Sequence, residues 1–215
     1  MAPDQGAPAR RRYRSPRREQ QAAETREAVL AAAVELFGTR GWAATGMRDV
    51  AGAAGVSVET VYAGFRSKSD LLKAVIDLTT VGDTAPVPLD ERPEFSALGS
   101  GTRQQRARAA ARLVTGIHQR NAGVLLALRQ GAASDRELAG LLREAEQRRR
   151  IDVEQGLSLA TGRAVTREEC DGLWAVFAVE VYHLLTALRG WNPQQYQTWL
   201  ADVIDRLLRD PGQRT

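Results

Sequence analysis

The sequence predicts an all-α chain, with a three-helix head and a larger helical body. Three observations carry this. From about Glu24 onward, apolar residues return at i, i+3, i+4 and i+7, the period of one buried helix face. Capping residues stand before those runs at Thr45, Ser57, Ser67, Ser134, Thr166 and Asn192. No segment alternates apolar and polar residues as a half-buried strand would.

The first helix is expected from about Glu24 to Arg40. Val29, Ala33 and Leu36 form one stripe, with Leu30, Val34 and Phe37 beside it, and Gly41 ends it. Thr45 is the expected N-cap of the next helix, in which Met47, Val50, Ala51 and Ala54 share a face. Gly55 stops that helix, because glycine takes the left-handed conformation of a tight turn. Ser57 caps a second short helix, Val58–Phe65, whose Val58, Val61 and Phe65 point inward. Glu59, Thr60 and Ala63 point the other way and Tyr62 lies on the flank. Two short helices about a tight turn, the second with small and polar residues outward, have the geometry that enters a major groove.

Ser67 caps the following helix, with Asp70 at capping-box spacing. Lys68 falls in its first turn, where a cation opposes the helix dipole by a few tenths of a kcal/mol. That points to an anion nearby, and DNA phosphate is the obvious one. Leu71, Leu72, Val75 and Ile76 form the apolar face, and this helix joins head to body.

The run GWAATGMRDVAGAAGVSVETVYAGFRSKSDLLKAV resembles the DNA-binding domain of TetR-type (tetracycline-repressor-like) transcriptional regulators, over roughly Glu24 to Ile76. The resemblance implies a DNA-binding head and an all-helical body that binds a ligand and dimerises through its last two helices. It also offers Trp42 a second role, an indole N–H near a phosphate, beside that of plugging the base of the head. One departure stands out. The family often has a histidine before the phenylalanine of the recognition helix, and this chain has Gly64. That glycine costs roughly 1 kcal/mol of helix propensity and removes a phosphate contact.

The candidate DNA-binding residues are Thr45, Arg48, Ser57, Glu59, Thr60, Tyr62, Ala63 and Lys68. Thr60 can donate or accept at a base edge, and Ala63 can touch a thymine methyl. Glu59 either accepts from cytosine or serves the dipole at the helix start. Tyr62, Lys68, Thr45 and Arg48 suit phosphate, which positions without reading sequence.

Residues 1–22 are rich in Pro, Arg, Gln and Ala, lack apolar periodicity and are expected to be a disordered arm. Arg10, Arg11, Arg12, Arg14, Arg17 and Arg18 outweigh the whole chain's net charge of +4, so the remainder is net acidic. The arm reads either as a DNA-following segment or as a solvated tail. Residues 23–80 form the helix–turn–helix domain with its connecting helix, 81–101 a linker and 102–212 the body. The linker holds Pro86, Pro88 and Pro93, exceeds the usual loop length and has one short turn near Phe95–Leu98. Its length suggests that it covers something or moves.

In the body, Arg103–Gln119 and Ala122–Ala133 read as helices. Ser134 and Glu137 form a capping box for a helix to about Leu159; Thr166 and Glu169 form another for a helix to about Arg189. Asn192 caps and Pro193 opens the last helix. The last two helices are more apolar than a monomer needs, so a homodimer is expected, with Leu200 and Val203 at its interface.

No enzyme site can be built. His118 and His183 are the chain's two histidines, and GxSxG, HExxH, CxxC and GxxxxGK[ST] are absent. Cys170 is a lone cysteine, best read as a small residue near a helix start, and neither a metal nor a cofactor is expected. An effector pocket would draw on Trp174, Phe177, His118 and His183. Glu180 and His183, three apart, are read as bonded to each other, to a ligand, or across an interface. Without an apolar run of membrane length, and with no signal-peptide core, a cytoplasmic protein is expected. The reading is a regulator, expected to be a repressor, that binds a palindromic DNA operator as a dimer and answers to an unknown small molecule. The alternatives are a constitutive DNA-binding or architectural protein and, further off, a helical enzyme.

Overall fold

The computed structural model describes residues 16–208. Among them the chain forms ten α-helices and no strand. They are α1 (Pro16–Arg40), α2 (Met47–Ala54), α3 (Val58–Gly64), α4 (Lys68–Val81), α5 (Pro93–Ser96), α6 (Arg103–Ala132), α7 (Arg136–Thr161), α8 (Arg167–Val176), α9 (Val179–His183) and α10 (Pro193–Leu207). The expected arm lies outside the described residues up to 15. Its last part, 16–22, is helical, because Arg, Glu, Gln and Ala are good helix formers that extend α1 without an apolar face.

The head is assembled by short-range devices. The N-cap of α2 is Gly46, not Thr45: Asp49 reaches back to the Gly46 N–H at 2.7 Å. Thr45 is instead 1% exposed, with Oγ1 3.1 and 2.9 Å from the carbonyl oxygens of Leu36 and Gly41. Gly55 adopts φ +68° after α2, and the Val56 N–H closes the turn on the Ala51 carbonyl at 3.0 Å. Ser57 accepts the Thr60 N–H at 3.2 Å, and Ser67 accepts the Asp70 N–H at 3.0 Å. Helix α3 ends at Gly64, one residue earlier than its pattern predicts, and Phe65 is extended and buried.

The head's core is not self-contained. Val29, Leu36, Phe37, Val50, Val61 and Leu72 join Val124 and Leu128 of α6 and Leu138 and Leu141 of α7 in one cluster. Helices α1 and α6 cross at a pair of glycines. A Cβ placed on Gly123 would stand 2.6 Å from the carbonyl oxygen of Gly38 and 2.8 Å from its Cα.

The body departs from the sequence reading in three places. The segments 103–119 and 122–133 are one helix, α6. The polar run Gln119-Arg120-Asn121 looks like a break, but Asn121 is buried and Arg120 is bound to α4. The cap of α7 is Asp135, not Ser134; its Oδ1 accepts the N–H groups of Glu137 and Leu138 at 2.9 and 3.2 Å. The single helix expected to Arg189 breaks at Phe177–Ala178, where Ala178 is extended (ψ 139°). The Phe177 carbonyl faces His118 Nε2 at 3.2 Å, a partner from outside its own helix. After α9 a π-helical turn, Leu184–Leu188, closes on the Arg189 N–H to Leu184 O bond at 3.1 Å. The capping boxes at Thr166/Glu169 and Asn192/Gln195 are both formed.

A second core holds Ala107, Ala111, Val153, Leu157, Leu173, Tyr196, Leu200 and Ile204. Leu200 is 0% exposed within one chain, so it belongs to that core and not to a subunit interface. Cys170 is buried there too. The linker is more ordered than its prolines suggest. Besides α5 it has two 3₁₀ turns, Leu89–Glu91 and Ala97–Gly99, and buries Phe95 and Leu98 against the body. Arg92 grips Asp83 with two bonds of 2.7 and 2.9 Å, holding its carboxyl down to about 2.

The α1–α6 crossing generates a prediction. Gly123→Ala puts a methyl against main chain that cannot turn aside, and should lower stability by about 1–3 kcal/mol. Urea denaturation checks it; Gly172→Ala, where a Cβ meets nothing within 4 Å, is the control.

Candidate DNA-reading face and body cavity

On α3, Val61 is fully buried while Glu59, Thr60, Tyr62 and Ala63 are exposed. Ser57 and Arg48 are exposed as well. Six of the eight sequence-derived residues therefore lie on the exposed surface of the head. The Ser57 and Thr60 hydroxyls lie 3.0 Å apart, which orients both.

Thr45 and Lys68 do not join that surface. Thr45 is turned inward, as above. Lys68 Nζ donates to the Trp42 carbonyl and stands 3.9 Å from the centre of the Trp42 ring. Its pKa is lowered by burial, partly offset by Asp135 and Asp49. The cation that seemed to call for a phosphate is thus answered within the head, by a carbonyl oxygen and an indole face. Trp42 in turn stacks on Phe37 with ring centres 5.9 Å apart, which favours the plug role. Arg26 was missed by sequence reasoning. It lies 4.4 Å over the Phe65 ring and donates to the Gly64 carbonyl at 3.4 Å, tying α1 to the end of α3. Only a fold-level pairing could have revealed it.

Between head and body lies a cavity of about 690 Å³, walled by α4, the linker, α6 and α7. His118 and Phe177 line it; Trp174 and His183 do not. His118 has both nitrogens engaged, Nε2 to the Phe177 carbonyl at 3.2 Å and Nδ1 to the Tyr196 hydroxyl at 3.3 Å. Burial pushes its pKa down to about 4, so the ring is neutral. Trp174 instead stacks under Arg149 at 4.6 Å, and its carbonyl accepts from Arg149 Nη1 at 2.6 Å. Glu180 pairs with Arg129 at 2.7 Å and not with His183.

Arg120 is the other residue that sequence reasoning passed over. From α6 it donates to the carbonyl oxygens of Thr79 and Thr80, at 3.0 and 3.1 Å, in the last turn of α4. It sits between His118 and Asn121, both on the cavity wall.

A helix–turn–helix with an exposed polar second helix, fused to an all-α body, defines a DNA-binding protein. Residues 29–75 match the family described as bacterial regulatory proteins, tetR family. The head, residues 29–75, thus carries the DNA-binding region of TetR-family transcriptional regulators. The chain is 38% identical over 60 residues to the HTH-type transcriptional regulator AcrR of Shigella flexneri, a match spanning 28% of each chain. It is 28% identical over 157 residues, 73% of each chain, to the regulator TtgR of Pseudomonas putida. Among solved structures, a TetR-family regulator from Rhodococcus sp. superposes with TM-score 0.67 at 19% identity, covering 87% of this chain and all of that one. A transcriptional regulator from Saccharomonospora viridis in complex with choline superposes with TM-score 0.61 at 20% identity, covering 85% and 96%.

Two predictions come from this geometry. Lys68→Met should lower the unfolding free energy by about 1–2 kcal/mol, since it removes a cation–π contact and a charged hydrogen bond; an unchanged urea midpoint would contradict the assignment. His118 is neutral when folded and titrates near its ordinary value when unfolded, so its contribution is present above about pH 6.5 and lost as pH falls toward 4. The loss should be on the order of 3 kcal/mol across that window. His118→Gln should flatten the stability profile there, as read by thermal melts at several pH values.

Proposed function

We propose that the protein is a repressor that binds a palindromic operator as a homodimer and is released by a small molecule held in the body cavity. The observation that carries this is the position of the cavity. It lies under α4, the helix that continues directly from the recognition helix α3, and is unfilled by side chains. A constitutive DNA-binding protein would have no use for such a space.

Arg48, Ser57, Glu59, Thr60, Tyr62 and Ala63 face the operator in this reading. Thr60 and Ala63 take base edges, and Arg48 and Tyr62 take phosphates. The dimer supplies two such faces, and its two-fold axis makes the operator a partial palindrome. The apolar surface for it is at hand. Contrary to the sequence reading, the helical stretch Arg167–Leu188, though broken at Phe177–Ala178, has the length and apolar composition of a membrane span, yet only 17% of its most apolar window is buried in the chain. Its end, Leu184 and Leu188, is 52% and 66% exposed. We read that surface as covered by a second copy, and a DNA-bound regulator places the protein in the cytoplasm.

Release follows from linkage. A ligand shifts the DNA-competent state only by its differential affinity for the two states, typically ~1–3 kcal/mol. Arg120 offers the coupling, because a ligand that displaces α6 moves the arginine that holds the end of α4.

The wild-type chain should sediment as a dimer at micromolar concentration, and Leu188→Arg as a folded monomer. Footprinting of operator selected from a genomic library should show two symmetric half-sites; a single unsymmetric half-site would overturn the dimeric reading. Thr60→Val should relax preference at one base in each half-site, by roughly 1–3 kcal/mol, while leaving the salt dependence of binding unchanged.

A further inference from the structure

The charged groups on the cavity wall are unevenly paired. Asp77 is held by Arg148 at 2.8 Å, and Asp83 by Arg92 at 2.7 Å. Glu146 is held by both Arg129 and Arg149. Two carboxylates remain, Asp90 on the linker and Asp152 on α7, and neither has a hydrogen bond or an ion pair among the described residues. Asp152 is half-buried. Its neighbours in charge are Asp90, which repels it, and Arg148, already bound to Asp77. A third polar group on the same wall is also unanswered. Asn121 is 2% exposed and its Oδ1 has no partner.

A half-buried carboxylate near another carboxylate, with its neighbouring cation already bound elsewhere, is an unfavourable arrangement. A buried amide oxygen without a donor is another. Both are relieved by one kind of ligand. Most of the rest of the wall is aliphatic or aromatic, including Leu113, Val114, Ile117, Phe95 and Leu98, and Arg26 on it is engaged with Phe65 and the Gly64 carbonyl.

We propose that the cavity takes a lipophilic cation: an apolar body carrying a protonated amine, which answers Asp152 and Asp90, with an N–H or O–H group that donates to Asn121. This rests on the reading of the cavity as the effector site and names the chemistry of its occupant. A neutral ligand of the same body would bury the same apolar area but leave both carboxylates unpaired. An anion would add a third negative charge to them.

Burial and Asp90 raise the Asp152 carboxyl to about 6, so near neutral pH it is ionised and at about pH 5 it is mostly protonated. Affinity for a cation should therefore fall as pH drops through 6, whereas affinity for the neutral analogue should not.

The test uses the full chain and three probes of one body, phenylbutylamine, phenylbutanol and phenylbutyrate, in titration calorimetry. At about pH 7.5 the amine should bind at least tenfold tighter than the alcohol, and the acid more weakly than the alcohol. Moving to about pH 5 should cost the amine roughly tenfold and leave the alcohol unchanged. Asp152→Asn should bring the amine to the alcohol's affinity. Its melting temperature should be no lower than wild type, since it removes a disfavoured charge at constant shape. An amine that binds no tighter than the alcohol, or an Asp152→Asn variant that keeps the preference, overturns the proposal. Operator binding, followed by anisotropy with the same probes, separates this from the effector reading. Amine binding with operator affinity unchanged supports the cation site and overturns ligand release. Release by the alcohol or the acid in preference to the amine keeps ligand release and overturns the cation site.

Discussion

The crossing of α1 over α6 at Gly38 and Gly123 sets the distance on which the remaining contacts depend. With no Cβ on Gly123, α6 meets the backbone of Gly38 directly. That approach brings Val124 and Leu128 into the head's core. The head consequently has no separable hydrophobic interior, and its orientation is fixed by packing and not by the α4 connection alone. A side chain at position 123 would separate the helices and open the core that Phe37 and Val61 share with the body.

Arg120 uses the same closeness. A guanidinium with two bonds to the end of α4 joins a helix of the cavity wall to the helix behind the recognition element. The terminal carbonyls of a helix lack partners within it, so this arginine satisfies groups that would otherwise need water. Its pKa is lowered by burial, but a guanidinium keeps its charge and the contact is permanent at any physiological pH. The cavity's wall and the head's mounting are therefore two faces of one helix.

The head was legible in the sequence because its signals are local. Gly55, Ser57 and Ser67 act within three or four residues, and the apolar stripe of α3 is complete within seven. What was illegible had its cause elsewhere in the chain. The break after Val176 is met by His118, from α6, and Glu180 finds Arg129 where its own helix offered His183. Lys68 looked unsatisfied from its own helix but is satisfied by Trp42. Leu200 looked like surplus apolar surface because nothing in the last helix shows that α6 already covers it. For the cavity, two of the four sequence-derived residues line it. The carboxylates on its wall carry no motif, since pairing across three elements leaves no spacing to read.

A core shared between the beginning and the middle of the chain has a consequence for how the protein is made. Helices α1 to α4 leave the ribosome first, yet the cluster that contains Val29, Phe37 and Leu72 is complete only when Leu138 and Leu141 have also emerged. Domains generally fold as units during synthesis, but this head cannot finish as one. Its apolar underside stays open while some sixty further residues are translated at ~5–20 per second, an interval of seconds. Any factor that shields nascent hydrophobic surface would meet this protein at that stage, with the helices of the head synthesised and the seat beneath them still vacant.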